Sequence, residues 1–238
     1  MNERSFQIWG REKFLQREQG RAVLAHCGVT LDQLGVYGTT EPLAYYSCSR
    51  QVPQTVLILE NKDTFYSMRR HLLGKTPLRS IFDTEISTVI YGAGKGILRS
   101  FEDFRFCVEA HVNDPRNRIL YFGDLDYEGI GIYERLAALF ASGDTGMSTT
   151  SAENPASEVP DGLEDIRGIR PFVQAYEKML EKAAKWGTEL LPETSPGQNR
   201  NLSGLFFQYF SESAGKRMRQ ILEADRYIPQ EILNITDF

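Results

Sequence analysis

Three short, continuous apolar runs mark the middle of the chain: Thr-Val-Leu-Ile-Leu at 55–59, Ser-Thr-Val-Ile-Tyr at 87–91 and Arg-Ile-Leu-Tyr-Phe at 118–122. Runs of this length without alternation belong to strands buried on both faces of a parallel sheet. Between and after them the period lengthens. A helix is predicted over 64–73, with Phe65, Met68 and Leu72 on one face, and others over 97–112 and 129–140. Strand–helix alternation at this spacing gives right-handed βαβ units and an α/β fold. A fourth strand is predicted at 169–173, a helix at 174–186, a Pro-containing loop at 187–201 and helix over 202–227 with a break near 213–215. Upstream, 12–26 carries an imperfect amphipathic pattern that Gly28 would stop, 31–34 suits a short second helix, and 35–53 is rich in turn residues. The segment 141–168 turns to Ser, Thr, Gly, Pro, Asp and Glu, the composition of a flexible surface excursion. The expected organisation is a helical or irregular extension over 1–53, a sheet domain over 54–186 and a helical segment over 187–238 packed on it.

Composition narrows the classes. With 238 residues, 41% hydrophobic and 25% charged, the chain can bury one good core. No apolar run approaches the roughly 20 residues that cross a bilayer, so neither a membrane span nor a signal peptide is expected. Three scattered cysteines fit reduced thiols in the cytoplasm. A net charge of −5 argues against a non-specific nucleic-acid coat, but carboxylates clustered for a metal would also lower the charge of a DNA enzyme. Basic residues group locally, as Arg69, Arg70, His71, Lys75 and Arg79 and as Lys216, Arg217 and Arg219; taken alone, either group is read first as a solvated helix face.

The acids are the informative residues. Glu60 directly follows the first strand, and Asp124 and Asp126 directly follow the third. Carboxyl ends of parallel strands form the ligand crevice, so the three can converge there if the chain bends at Leu125. Like charges in one crevice repel unless a cation neutralises them, and oxygen-only ligation completed by water suits Mg²⁺, with Mn²⁺ as substitute. The three histidines are too widely spaced for a zinc site. Gly92-Ala93-Gly94-Lys95-Gly96 has neither the Walker A nor the dinucleotide spacing. Gly92 and Gly94 allow either an anion-binding turn for one phosphate or a plain tight turn. Lys62 and Lys95 can reach the same crevice, to hold a phosphate, to stabilise a leaving group or to pair with the acids.

A glutamate after one strand, a glycine turn after the next and Asp-x-Asp after the third is the order of Toprim domains. More closely, the chain resembles the C-terminal domain of the Wadjet anti-plasmid subunit JetD. The matching stretches are Phe6-Gln7-Ile8-Trp9-Gly10-Arg11-Glu12-Lys13-Phe14-Leu15, Leu59-Glu60-Asn61-Lys62-Asp63-Thr64-Phe65, Ile90-Tyr91-Gly92-Ala93-Gly94, Leu120-Tyr121-Phe122-Gly123-Asp124-Leu125-Asp126-Tyr127-Glu128-Gly129 and Leu222-Glu223-Ala224-Asp225-Arg226-Tyr227. The resemblance implies a Toprim-like parallel sheet of about four strands flanked by helices, with helical N- and C-terminal extensions. It implies a dimeric, metal-dependent nuclease that cuts double-stranded plasmid DNA beside a condensin-like complex with an SMC-type motor. Glu60, Asp124 and Asp126 would hold the metal, with Glu128 beside them, and Glu223 and Asp225 match a family acidic motif that would join or support the site. Phosphodiester hydrolysis without sequence specificity follows, since phosphate contacts alone carry no sequence information. Two rivals are a type IIB topoisomerase or recombinase-like subunit and a Toprim scaffold that binds DNA without catalysis. The first needs a nucleophilic tyrosine on a separate winged-helix domain, for which no room is expected upstream.

Overall fold

The strand runs fold as they read. In the computed structural model, which describes residues 1–36, 38–74, 80–142 and 168–238, the chain divides into two compact units, Met1–Thr40 and Glu41–Phe238.

In the first unit, α1 (Asn2–Trp9) ends at Gly10 and α2 (Glu18–Cys27) at Gly28, both glycines left-handed. Leu15, Leu24 and Val36 form its small core. Helix was predicted from residue 12, but 12–16 is a turn that buries Leu15, whose N–H donates to the buried Ser5 hydroxyl. Gly20 permits this turn, because a Cβ there would meet the Phe14 carbonyl at 2.1 Å. The 31–34 stretch forms turns.

The second unit runs β1 (Ala44–Ser47), β2 (Thr55–Leu59), α3 (Lys62–Leu72), the hairpin β3 (Ser80–Ile81) and β4 (Thr84–Glu85), β5 (Thr88–Tyr91), α4 (Gly96–Glu102), α5 (Phe104–Cys107), β6 (Arg118–Phe122), α6 (Tyr127–Ser142), β7 (Ile169–Pro171), α7 (Val173–Trp186) and α8 (Glu212–Glu223). Five strands make the sheet in the order β1-β5-β2-β6-β7; only β1 is antiparallel. The result is an α/β fold with a mostly parallel sheet flanked by helices, consistent with the Toprim-like expectation. Val56, Leu57, Ile58 and Leu59 are all fully buried, so both faces of the central strand are covered.

Three details depart from the sequence reading. The fifth strand, β1, lies in the stretch read as irregular; it is an edge strand whose side chains are half-exposed or exposed, and such a strand leaves no continuous apolar run. The 97–112 helix is interrupted at Asp103 and ends at Cys107, so 108–112 is not helical. The C-terminal break falls at Phe210–Ser211, where the Ser211 hydroxyl caps α8 by accepting from the Ala214 N–H. Most of the 141–168 excursion, like Lys75 and Arg79, lies outside the described residues.

Candidate functional site

Strand register brings the acids together. Leu59 pairs with Phe122 in the parallel β2–β6 ladder, and the Glu60 N–H continues it onto the Phe122 carbonyl at 3.1 Å. Glu60 therefore lies level with Gly123, one residue before Asp124, on the adjacent strand end. Beyond them the chain does bend at Leu125, whose fully buried side chain anchors the turn. Its backbone exchanges hydrogen bonds of 2.9 and 3.3 Å with Ile228. That pairing holds Asp124 and Asp126 on either side of a fixed residue.

Each carboxylate is held by neutral donors. The phenol of buried Tyr121 donates to Glu60 Oε2 at 2.9 Å. Asp124 Oδ1 accepts the Gln230 N–H at 2.7 Å. Asp126 Oδ1 accepts the Gly129 N–H at 2.6 Å, and its Oδ2 accepts Gln198 Nε2 at 2.6 Å. Two glycines make the approach possible. A Cβ at Gly123 would stand 2.3 Å from Glu60 Oε2; one at Gly129 would stand 2.4 Å from the Asp124 carbonyl, 3.1 Å from Glu60 Oε2 and 3.2 Å from Asp126 Oδ1. The Gly123 N–H donates to the hydroxyl of Tyr176 on α7.

Burial without a counter-charge dominates the electrostatics. Desolvation, then the charge of Asp124, raises Glu60 to about 7, against the opposing hydrogen bond from Tyr121. Desolvation raises Asp124 to about 6, with the Gln230 N–H opposing and Asp126 and Glu231 adding to the rise.

Of the basic and glycine residues, Lys95 and Gly94 lie beside the acids. Lys95 forms a 2.9 Å ion pair with Glu128, on side chains 62% and 36% exposed, so each is occupied by the other. Lys62 is exposed in the first turn of α3, which Asn61 caps. The Gly92 N–H is taken by the Leu59 carbonyl, and Gly94, at φ 62°, turns the chain past Glu60, with a Cβ position 3.9 Å from Oε1. Glu223 is exposed and lines a separate pocket with Lys216 and Arg219. Asp225 pairs with Arg200 at 2.5 Å.

Three residues at the site gave no sequence signal. Gln230, fully buried, donates its backbone N–H to Asp124 and its Nε2 to the Phe122 carbonyl at 3.0 Å, and accepts the Asn61 N–H at 2.8 Å. Gln198 arrives from a Pro-containing loop. Tyr121 was hidden inside an apolar run, where only its hydroxyl set it apart.

A hard dication suits this donor set in chemistry, since every candidate ligand is oxygen and, among the described residues, no basic side chain pairs with Glu60 or Asp124. Among the described residues, however, no three His, Cys, Asp or Glu side chains are grouped closely enough to hold a metal as they stand. Nor is any helix among them long and apolar enough to cross a membrane.

The family model described as Wadjet protein JetD, C-terminal, matches residues 15–152. That span includes Glu60, Asp124, Asp126 and Glu128 and stops short of Gln198 and Gln230. No curated protein and no solved structure matches the chain.

Proposed function

The chain belongs to the family of the Wadjet protein JetD C-terminal domain, and from that premise we propose that it is a Mg²⁺-dependent DNA endonuclease of a Wadjet-type anti-plasmid system. The observation that carries the reading is the set of three acids at adjacent strand ends, two of them raised to about 7 and about 6 by burial and mutual repulsion. Such a set is poorly neutralised on its own and is completed by a dication.

Glu60, Asp124 and Asp126 would hold the ion, and Mn²⁺ would replace Mg²⁺. The ion supplies Lewis acidity toward a backbone phosphate. The protein's part is to keep the carboxylates in place: Tyr121 orients Glu60, Gln230 orients Asp124, and Gly129 orients Asp126. Lys62, exposed at the start of α3, and Lys95, once released from Glu128, would meet the phosphates of the bound strand. Double-stranded plasmid DNA is the substrate of this reading, and a second copy of the chain and a condensin-like SMC motor are its partners in the cytoplasm.

The test is nicking of supercoiled plasmid with Mg²⁺ or Mn²⁺, together with Mn²⁺ binding, for wild type and Asp126→Ala. Metal-dependent cutting and binding that both disappear in the variant are expected. A wild-type chain that neither cuts nor binds Mn²⁺ rules the reading out. Wild-type cutting that survives in Asp126→Ala would move the chemistry elsewhere.

A further inference from the structure

The outer face of α3 carries charge that the chain does not balance. The helix packs on β5 and β2 and buries Phe65, Met68 and Leu72. Lys62, Tyr66, Arg70 and, just past the helix end, Leu73 are exposed. Steps of four, four and three residues put these four on one stripe. Half-buried Arg69 flanks it, and the helix's exposed acid, Asp63, lies in the first turn.

Elsewhere on the surface exposed cations meet acids, as Arg50 meets Glu109, Arg116 meets Asp114 and Lys178 meets Glu181. Among the described residues, no carboxylate pairs with Lys62, Arg69 or Arg70. The guanidinium of Arg69 lies over the ring of Tyr46 on β1, 5.5 Å from its centroid, and its buried Nε has no hydrogen-bond partner. The ring steadies this side chain without cancelling its charge. The helix dipole accounts for arginines in the last turn, but it disfavours a lysine in the first. In a chain of net charge −5, three unpaired cations on one helix are a local excess.

Position gives the excess a use. Only Asn61, the N-cap of α3, separates Glu60 from Lys62, so the stripe starts beside the acids and leads away from them. At a rise of 1.5 Å per residue, Lys62 and Arg70 stand about 12 Å apart along the helix axis. Phosphates of one strand advance by about 3.4 Å along a duplex, so this stretch matches roughly three to four of them. We infer that the outer face of α3 is a DNA-docking surface, on which Lys62, Arg69 and Arg70 contact phosphates of one strand and Tyr66 packs between them. The inference deepens the reading above, which supplies DNA as the occupant, but the docking itself needs no metal. Contacts of this kind carry no sequence preference.

Fluorescence anisotropy of a short labelled duplex, titrated with the full chain in EDTA at several salt concentrations, tests this. Wild type is expected to bind. Arg70→Gln, an exposed change whose folding a melting curve checks, should weaken binding about tenfold near 0.1 M salt, the effect of one lost phosphate contact. The slope of log K against log salt should become shallower by about 0.9. Lys62→Gln should do the same, while Arg217→Gln, from the other basic group, should change neither quantity. Wild type that does not bind the duplex overturns the inference, as does an Arg217→Gln loss equal to that of Arg70→Gln. Binding of poly-glutamate in place of the duplex, lost in Arg70→Gln, would also overturn it and assign the face to an acidic protein. If plasmid is cut with Mg²⁺ but Arg70→Gln binds like wild type, the docking surface fails alone. If binding falls as expected and no plasmid is cut, the surface stands and the nuclease reading fails.

Discussion

Both ends of the central strands β5, β2 and β6 carry buried or half-buried polar side chains, and the two sets are held in opposite ways. At the N-terminal ends, Gln54, Thr88 and Asn117 are neutral and saturated. The Asn117 Oδ1 accepts the Gln54 N–H at 2.9 Å, its Nδ2 reaches the His111 and Val112 carbonyls at 2.8 and 3.0 Å, and Thr88 donates to Gln54 Oε1 at 2.6 Å. At the C-terminal ends, the carboxyls of Glu60, Asp124 and Asp126 are held by neutral donors, and among the described residues no basic side chain pairs with them. A saturated neutral network fixes strand register and needs nothing further. A set of carboxyls out of water destabilises the fold that contains it unless a proton or a bound cation compensates their charge. Polarity at a sheet end therefore identifies a site only when its charge is left unbalanced.

The sharpest way to break this contrast is to neutralise the acid end. Asp126→Asn keeps the shape and removes one charge. Plasmid cleavage should fall by at least about 10³-fold, the several kcal/mol that a correctly held ion supplies. The metal-free protein should melt no lower than wild type. A variant that still cuts, or that unfolds, would make Asp126 a structural residue like Asn117.

Next in size is a pH effect confined to the acid end. Glu60 and Asp124 sit above their ordinary values of 4.5 and 3.8, at about 7 and about 6. The native state therefore binds protons more tightly than the unfolded chain. Stability from these groups is fully present below about pH 4 and is lost as pH rises through 6 and 7. The Glu60 shift alone corresponds to about 3 kcal/mol. Urea melts without metal should show this loss between pH 4.5 and 7.5, and it should shrink in Glu60→Gln and on addition of Mg²⁺. A flat profile would mean that the acids are neutralised from within the chain.

The same contrast explains what the sequence could and could not disclose. β2 and β6 were legible to the residue because burial on both faces forces an unbroken apolar run, and Glu60, Asp124 and Asp126 were legible because they end those runs. β1 was not, because an edge strand such as Tyr45–Tyr46 needs no such pattern. Gln230 and Gln198 were invisible for another reason. Their roles depend on which distant segment lies across the strand ends, and an isolated glutamine after Pro229 or within 187–201 resembles any surface polar residue. Charge convergence within one supersecondary unit can be read from spacing, whereas neutral support contributed from afar requires the fold.

A smaller effect is expected at the neutral end. Asn117→Ala removes three hydrogen bonds and strands the Gln54 N–H in a buried position. It should cost about 2 kcal/mol of stability at every pH, with Mn²⁺ affinity unchanged. A matching loss of metal binding would show the two ends of the sheet to be coupled.

The smallest effect tests where the acid site stops. Lys95 and Glu128 make their ion pair on side chains 62% and 36% exposed, at the rim of the crevice. Exposed pairs contribute little, so Lys95→Ala should change stability by no more than about 0.5 kcal/mol, and salt should reduce even that. Removing the lysine also frees Glu128. If the unbalanced charge ends at Glu60, Asp124 and Asp126, Mn²⁺ affinity should be unaffected and only cleavage should fall, through weaker hold on the phosphate. If Mn²⁺ affinity rises instead, Glu128 is a fourth acid of the same set that the lysine ordinarily neutralises, and the boundary between the balanced rim and the unbalanced crevice lies one residue pair further out.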